Sequence, residues 1–150
     1  MNTVVVGEKN CDEAIGRSKG GLSTKIHATT DALGNPTSFF LTGGNRHDLE
    51  GADHLLPQIK GEILLGDGSY DADARVIKPL EARGILPLIR PRKNRKSRKE
   101  YDQELYKARH LIENFFSRLK QYRAIATRYD KKARVFLSAI YLAASVIWLN

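Results

Sequence analysis

Several residue types are scarce in this chain of 150 residues, and each shortage removes a class of protein. Cys11 is the single cysteine, which excludes a disulfide framework and a cysteine-based zinc cluster. Acidic residues number 17 against 25 Lys and Arg, for a formal net charge of +8. That imbalance favours a polyanionic partner, although charge alone does not separate DNA, RNA and acidic membranes. Long apolar runs are missing too. The most apolar stretch, Val135–Leu149, falls short of the ~20 residues of a membrane span and contains Ser138 and Ser145. It reads as a buried helix, so no membrane partner is expected. No charged-then-apolar leader is visible at the start, which predicts a cytoplasmic chain. With no internal repeat or linker, residues 1–150 suit one domain around one core.

What is present alternates between strand and helix patterns. Asn2–Val6 (NTVVV) is rich in β-branched residues and predicts a short strand. Gly7–Gly21 reads as a flexible loop, with Arg17 and Lys19 in GRSKGG offering an alternative, a cradle for phosphates. Thr24–Thr30 alternates, placing Ile26 and Ala28 on one face and Lys25, His27 and Thr29 on the other. The turn-rich run 31–36 and the returning Thr37–Leu41 make this a hairpin, and Asn2–Val6 beside it would give three antiparallel strands. Next to His47, Asp48 suits the cap of a helix over Leu49–Ile59 better than a metal ligand. Glu62–Leu65 suits a strand buried on both faces, with Asp67 where it leaves the sheet. A carboxylate there is equally a turn residue or a carrier of chemistry. Asp71 is placed to cap a helix over Ala72–Arg83, with Gly84 after its end. Ile85–Ile89 is then a fifth strand, at an edge because of Pro87. Ala133–Leu149 is apolar nearly all round and predicts a closing helix in the core.

Two segments carry the functional signal. In RPRKNRKSRK, seven of ten residues are cationic: Arg90, Arg92, Lys93, Arg95, Lys96, Arg98 and Lys99. Such a run repels itself unless a polyanion neutralises it, so phosphate contact is expected. Without aromatics between the cations, it should position a duplex rather than read it. The second segment, YKARHLIENFFSRLK, spans Tyr106–Lys120 and reads as an amphipathic helix capped by Asp102. At 100° per residue, with Tyr106 at zero, Arg109, Glu113 and Lys120 fall at about −60°, −20° and −40°. Four polar residues share one stripe opposite Leu111, Ile112, Phe115, Phe116 and Leu119.

The spacing Y-x(2)-R-x(3)-E-x(6)-K, filled by Tyr106, Arg109, Glu113 and Lys120, resembles the signature of bacterial insertion-sequence transposases of the DDE class. GRSKGGLSTKIH, DALGNP, LTGGNRHD, RPRKNRK and RYDKKAR look like further segments of that family. The resemblance implies an α/β, ribonuclease-H-like fold: a mixed sheet of about five strands flanked by helices, with an apolar C-terminal helix. It places Asp67 and Glu113 as the second and third acids of a catalytic, metal-binding triad. Two magnesium or manganese ions would be held there, oxygen ligands suiting such cations. Arg109 and Lys120 would grip phosphates, and Tyr106 would stack on a distorted base. The implied partner is double-stranded DNA, at transposon ends and target, cut and then joined by strand transfer, with a homodimer on DNA as one arrangement. The family's first Asp falls at Met1, which predicts that this chain alone binds DNA without cutting it. The alternative is an inactive, basic DNA-binding remnant. An RNA-binding protein would explain the charge but not the pairing of Asp67 with Glu113.

Overall fold

The alternation in residues 24–30 becomes half of a hairpin in the computed structural model, which describes residues 13–95 and 100–150. Asn2–Val6, Met1 and Cys11, like Lys96, Arg98 and Lys99, lie outside the described residues. Strands β2 (Gly21–Thr30) and β3 (Pro36–Gly43) pair antiparallel, with Ile26 opposite Leu41 and Ala28 opposite Phe39. Asp31 closes their turn by accepting at Oδ1 from the backbone N–H groups of Leu33 and Asn35, both at 2.9 Å. Gly34 there takes φ +86°, which a side chain would resist.

A further strand, β1 (Gly16–Ser18), pairs antiparallel with β2. The glycine-bearing stretch read as a flexible loop is therefore a second, tighter hairpin, and it supplies the third antiparallel strand. Gly16 is needed for packing, because a Cβ would collide with the Asn45 side-chain oxygen.

The two faces of this sheet bury different material. Ile26, Ala28, Phe39 and Leu41 meet α4 (His110–Leu119), the short α5 (Arg123–Ala126) and α6 (Ala133–Leu149) around Phe115, Leu119, Ile125, Phe136 and Ile140. Only one side of α6 is covered, contrary to its nearly uniform apolar pattern. Phe136 and Ile140 are buried, whereas Leu142 and Trp148 are 70% and 64% exposed. Among the described residues, no helix is long and apolar enough to cross a membrane.

On the opposite face, His27 is buried rather than a surface polar residue. Its Nε2 shares a 2.8 Å hydrogen bond with the Thr42 hydroxyl. Helix α1 (Asp48–Leu55) presses so close that a Cβ on Gly51 would collide with the imidazole. Burial lowers the His27 pKa, so the ring is held neutral.

Strands β4 (Ile63–Gly66) and β5 (Leu86–Ile89) pair in parallel, Leu65 opposite Leu88. Five strands are thus present among the described residues, as three antiparallel plus two parallel rather than one mixed sheet. Among those residues β4 pairs only with β5, and Ile63 is exposed instead of buried on both faces. The connection runs through a widened helical turn, Asp73–Ile77, and α2 (Lys78–Glu81). Pro79 has no N–H to give, and the turn widens just before it: Ile77 donates to the Ala72 carbonyl, five residues back, at 3.1 Å. Gly84, φ +73°, ends the segment as expected. Val76, Ile77, Leu80, Ile85 and Ile89 join Leu49, Ala52 and Leu56 in a second core.

One residue ties the beginning of the described chain to its last helix. Arg128, at φ +49°, donates to the carbonyls of Glu13 at 2.6 Å and Ala14 at 2.9 Å, and to those of Asp130 and Lys131 at 3.0 Å. Its guanidinium lies 4.9 Å from the centre of the Phe136 ring. The Glu13 carboxylate accepts from the Ala133 N–H at 2.5 Å, at the start of α6.

Candidate active site

Asp67 leaves the C-terminal end of β4 in an extended conformation and becomes the cap of its own turn, Gly68–Tyr70. Its Oδ1 accepts both the Ser69 N–H at 2.8 Å and the Ser69 hydroxyl at 2.5 Å. The side chain is half-buried, and the turn packs against α1. Burial, with Asp48 and Asp67 nearby, pushes the Tyr70 phenol up to about 12, so it stays protonated.

Asp48 is not the cap of α1. His47 takes that place, its Nδ1 accepting from the Leu49 N–H at 3.2 Å. Asp48 is drawn instead to Lys25, whose Nζ donates to it at 2.8 Å and to the Arg46 carbonyl at 2.7 Å. Burial works to raise the Asp48 pKa, but the Lys25 contact and charge outweigh it and hold the carboxyl below its ordinary value. The Ser69 hydroxyl contributes to that lowering. The only hint in the sequence was the placing of Lys25 and His27 on the face that α1 covers.

The signature segment is helical but not uniform. Asp102 caps α3 (Gln103–Tyr106) as expected, accepting from the Leu105 N–H at 3.0 Å. A tighter turn, Lys107–Arg109, then leads into α4. Arg109 and Glu113 form an ion pair one turn apart, and the Arg109 guanidinium lies 5.7 Å from the centre of the Tyr106 ring. The structure thus brings three of the four signature residues together. Lys120 lies at the exposed C-terminal end of α4. The Lys107–Arg109 turn rests against β4, whose end carries Asp67. Tyr106 feels that proximity. Burial raises its pKa first, the Asp67 carboxylate adds to the rise, and Arg109 opposes it.

Carboxylate oxygens are the donors that magnesium or manganese prefers, so Asp67 and Glu113 fit such an ion chemically. Both turn contacts of Asp67 fall on Oδ1, and the Glu113 side chain is 57% exposed. Among the described residues, no three Asp, Glu, His or Cys side chains are grouped to hold a metal.

The basic residues divide into two kinds. Arg90, Lys93, Arg17 and Lys19 are exposed, the last two on the β1–β2 hairpin of the other sheet. Arg92, though exposed, and the half-buried Arg95 are engaged by the protein itself. Arg92 donates to the Gly68 and Ser69 carbonyls, and Arg95 forms ion pairs with Asp71 and Asp73. Asp71 is therefore no helix cap, and the turn at Asp73–Ile77 starts without one.

Residues 6–148 match the model of a family described as the transposase DDE domain. The chain is 39% identical over 133 residues to a transposase-named protein of the insertion sequence element IS6501 from Brucella ovis, covering 86% of this chain and 100% of that protein. It is 29% identical over 139 residues to a transposase-named protein of IS402 from Burkholderia cepacia, covering 85% of this chain and 63% of that protein. No solved structure matches. With a family match that covers nearly the whole sequence, the chain belongs to the transposase DDE domain family.

Proposed function

We propose that Asp67 and Glu113 form one phosphodiester-cutting site for metal-dependent hydrolysis and strand transfer at insertion-sequence ends, impaired in this chain alone because Met1 stands where the family's first acid falls. The observation that carries this reading is the packing of the Lys107–Arg109 turn on β4, which sets the signature stripe beside the strand that ends at Asp67. A ribonuclease-H-like arrangement, with the acids gathered at the end of a central strand, accounts for that neighbourhood.

A magnesium or manganese ion at these carboxylates supplies positive charge to a phosphate whose own charge repels nucleophiles. The chain's residues do the rest. The turn after β4 holds Asp67 fixed, so little reorganisation is needed on DNA binding. Arg109 is tied to Glu113 by a partly exposed ion pair, worth less than about 1 kcal/mol, and exchanges it readily for a phosphate. Lys120 grips the backbone beyond it, and Tyr106 offers a ring to a distorted base. Arg90 and Lys93, with Lys96, Arg98 and Lys99, contact phosphates of the duplex, as do Arg17 and Lys19. A homodimer on DNA belongs to the same reading.

The test is nicking of a duplex carrying the element's ends, in magnesium or manganese, alongside calorimetric titration of the metal. Metal uptake that is lost in both Asp67→Asn and Glu113→Gln supports a shared site. DNA binding with no metal uptake would leave a binding module and sink the enzymatic reading. For the loop, Lys93→Ala should flatten the log–log salt dependence of DNA binding by about 0.9 without altering sequence preference.

A further inference from the structure

We propose that Arg92 and Arg95 are positioning residues that lace the basic loop onto the turn carrying Asp67, and that Arg95 does not contact DNA. Arg92 uses three groups on that turn. Its Nε donates to the Gly68 carbonyl, its Nη2 to the Ser69 carbonyl, and its backbone N–H to Asp71 Oδ2, each at 2.9 Å. These carbonyls belong to the two residues that directly follow Asp67. Ser69 in turn gives Asp67 its N–H and hydroxyl. A line of hydrogen bonds therefore runs from the Arg92 guanidinium through one residue to the catalytic carboxylate.

Arg95 fixes the far side. Its Nη1 bonds Asp71 Oδ1 and its Nη2 bonds Asp73 Oδ1 at 2.6 Å. The Arg95 side chain is only 15% exposed and that of Asp71 only 5%. In a run as cationic as this one, a guanidinium sunk between two carboxylates is the opposite of what self-repulsion alone would produce. The loop and turn also touch along their backbones, since a Cβ on Gly68 would lie 3.3 Å from the Arg90 carbonyl. Asp71 and Asp73 neutralise Arg95 before any DNA arrives. Only the remaining cations count toward phosphate neutralisation.

The positioning role rests on Asp67 being catalytic, but the experiment does not. Binding of the full chain to a duplex of unrelated sequence is measured against salt, and amide exchange is followed at Ser69. Arg95→Ala and the milder Arg95→Gln should leave the salt slope unchanged, where Lys93→Ala lowers it by about 0.9. Releasing the cation by Asp71→Asn with Asp73→Asn should steepen the slope by about the same amount, and Arg95→Ala in that background should cancel the change. Arg92→Ala should speed Ser69 amide exchange at least tenfold, and Arg92→Lys should not restore it, because an ammonium cannot span both carbonyls with a planar fork. A slope lowered by Arg95→Ala would make it a phosphate contact and overturn the proposal. Unchanged Ser69 exchange in Arg92→Ala would reduce the lacing to a surface contact and overturn it equally. Loss of metal dependence for Asp67 would instead overturn the catalytic reading and leave these two results standing.

Discussion

Asp67 and Glu113 stand in regions built on different terms. The turn after β4 holds Asp67 through a backbone N–H and a hydroxyl of its own neighbour, half-buried against α1. Helix α4 holds Glu113 by a cation one turn earlier, on a side that faces solvent. The first kind of restraint is short-range and indifferent to ionic strength. The second is an exposed charge pair that salt screens and that any phosphate can replace. One carboxylate is preset, and under the proposed function the other is released when a phosphate takes Arg109 from it.

The largest test of that contrast is whether the two acids still act as one unit. Asp67→Asn and Glu113→Gln should each remove several kcal/mol of transition-state stabilisation, about a hundredfold to a thousandfold or more in metal-dependent nicking. Together they should cost no more than either alone. Full additivity in single-turnover nicking would separate them into two sites. Next comes the restraint itself. Ser69→Ala takes away one of the two bonds on Asp67 and should weaken manganese binding about 10- to 100-fold by calorimetry. Arg109→Gln, by comparison, should leave metal affinity nearly unchanged while weakening DNA.

Smaller effects separate the supports beneath. Gly51→Ala would drive a methyl group into His27 and should cost about 1–3 kcal/mol in urea unfolding. Because the folded-state pKa of His27 is lowered from 6.5 by burial, its contribution is fully present above that value. Stability should fall as pH drops below it, and His27→Gln should flatten that slope. Smallest is the direct comparison of the acids in the free chain. Asp67→Ala should cost about 1 kcal/mol through its lost cap, at any salt concentration. Glu113→Gln should cost at most about 0.5 kcal/mol, and nothing in 1 M salt. Equal salt sensitivity in the two variants would erase the distinction.

Features set by neighbours in the chain were legible before the structure. The Asp31 turn, the Asp102 cap, the Gly84 stop and the Tyr106–Arg109–Glu113 stripe all depend on residues within about one turn of each other. Those that failed were drawn away by distant partners. Asp48 and Asp71 both read as caps by local chemistry, yet Lys25 claims the first and Arg95 the second. His27 looked like a surface residue until α1 covered that face, and β1 was hidden because three residues, GRS, carry no period. Arg92 and Arg95 could not be told from their cationic neighbours by composition, since what distinguishes them is the turn across from the loop. Asp67 was legible as a turn residue, and the structure shows that it occupies the turn without giving up Oδ2 to it.

The clasp at Arg128 has a consequence for the order in which the domain can be made. Its partners at Glu13 and Ala14 are more than a hundred residues upstream, and Phe136, beneath its guanidinium, is the largest fully buried side chain described. During synthesis the first hairpin emerges long before Arg128 and α6 exist to cover it. Local turns can close early, but the apolar face of β2 and β3 must wait for α4 and α6. A ribosome stalled short of residue 128 therefore holds a chain whose sheet is still open on the side that α6 covers.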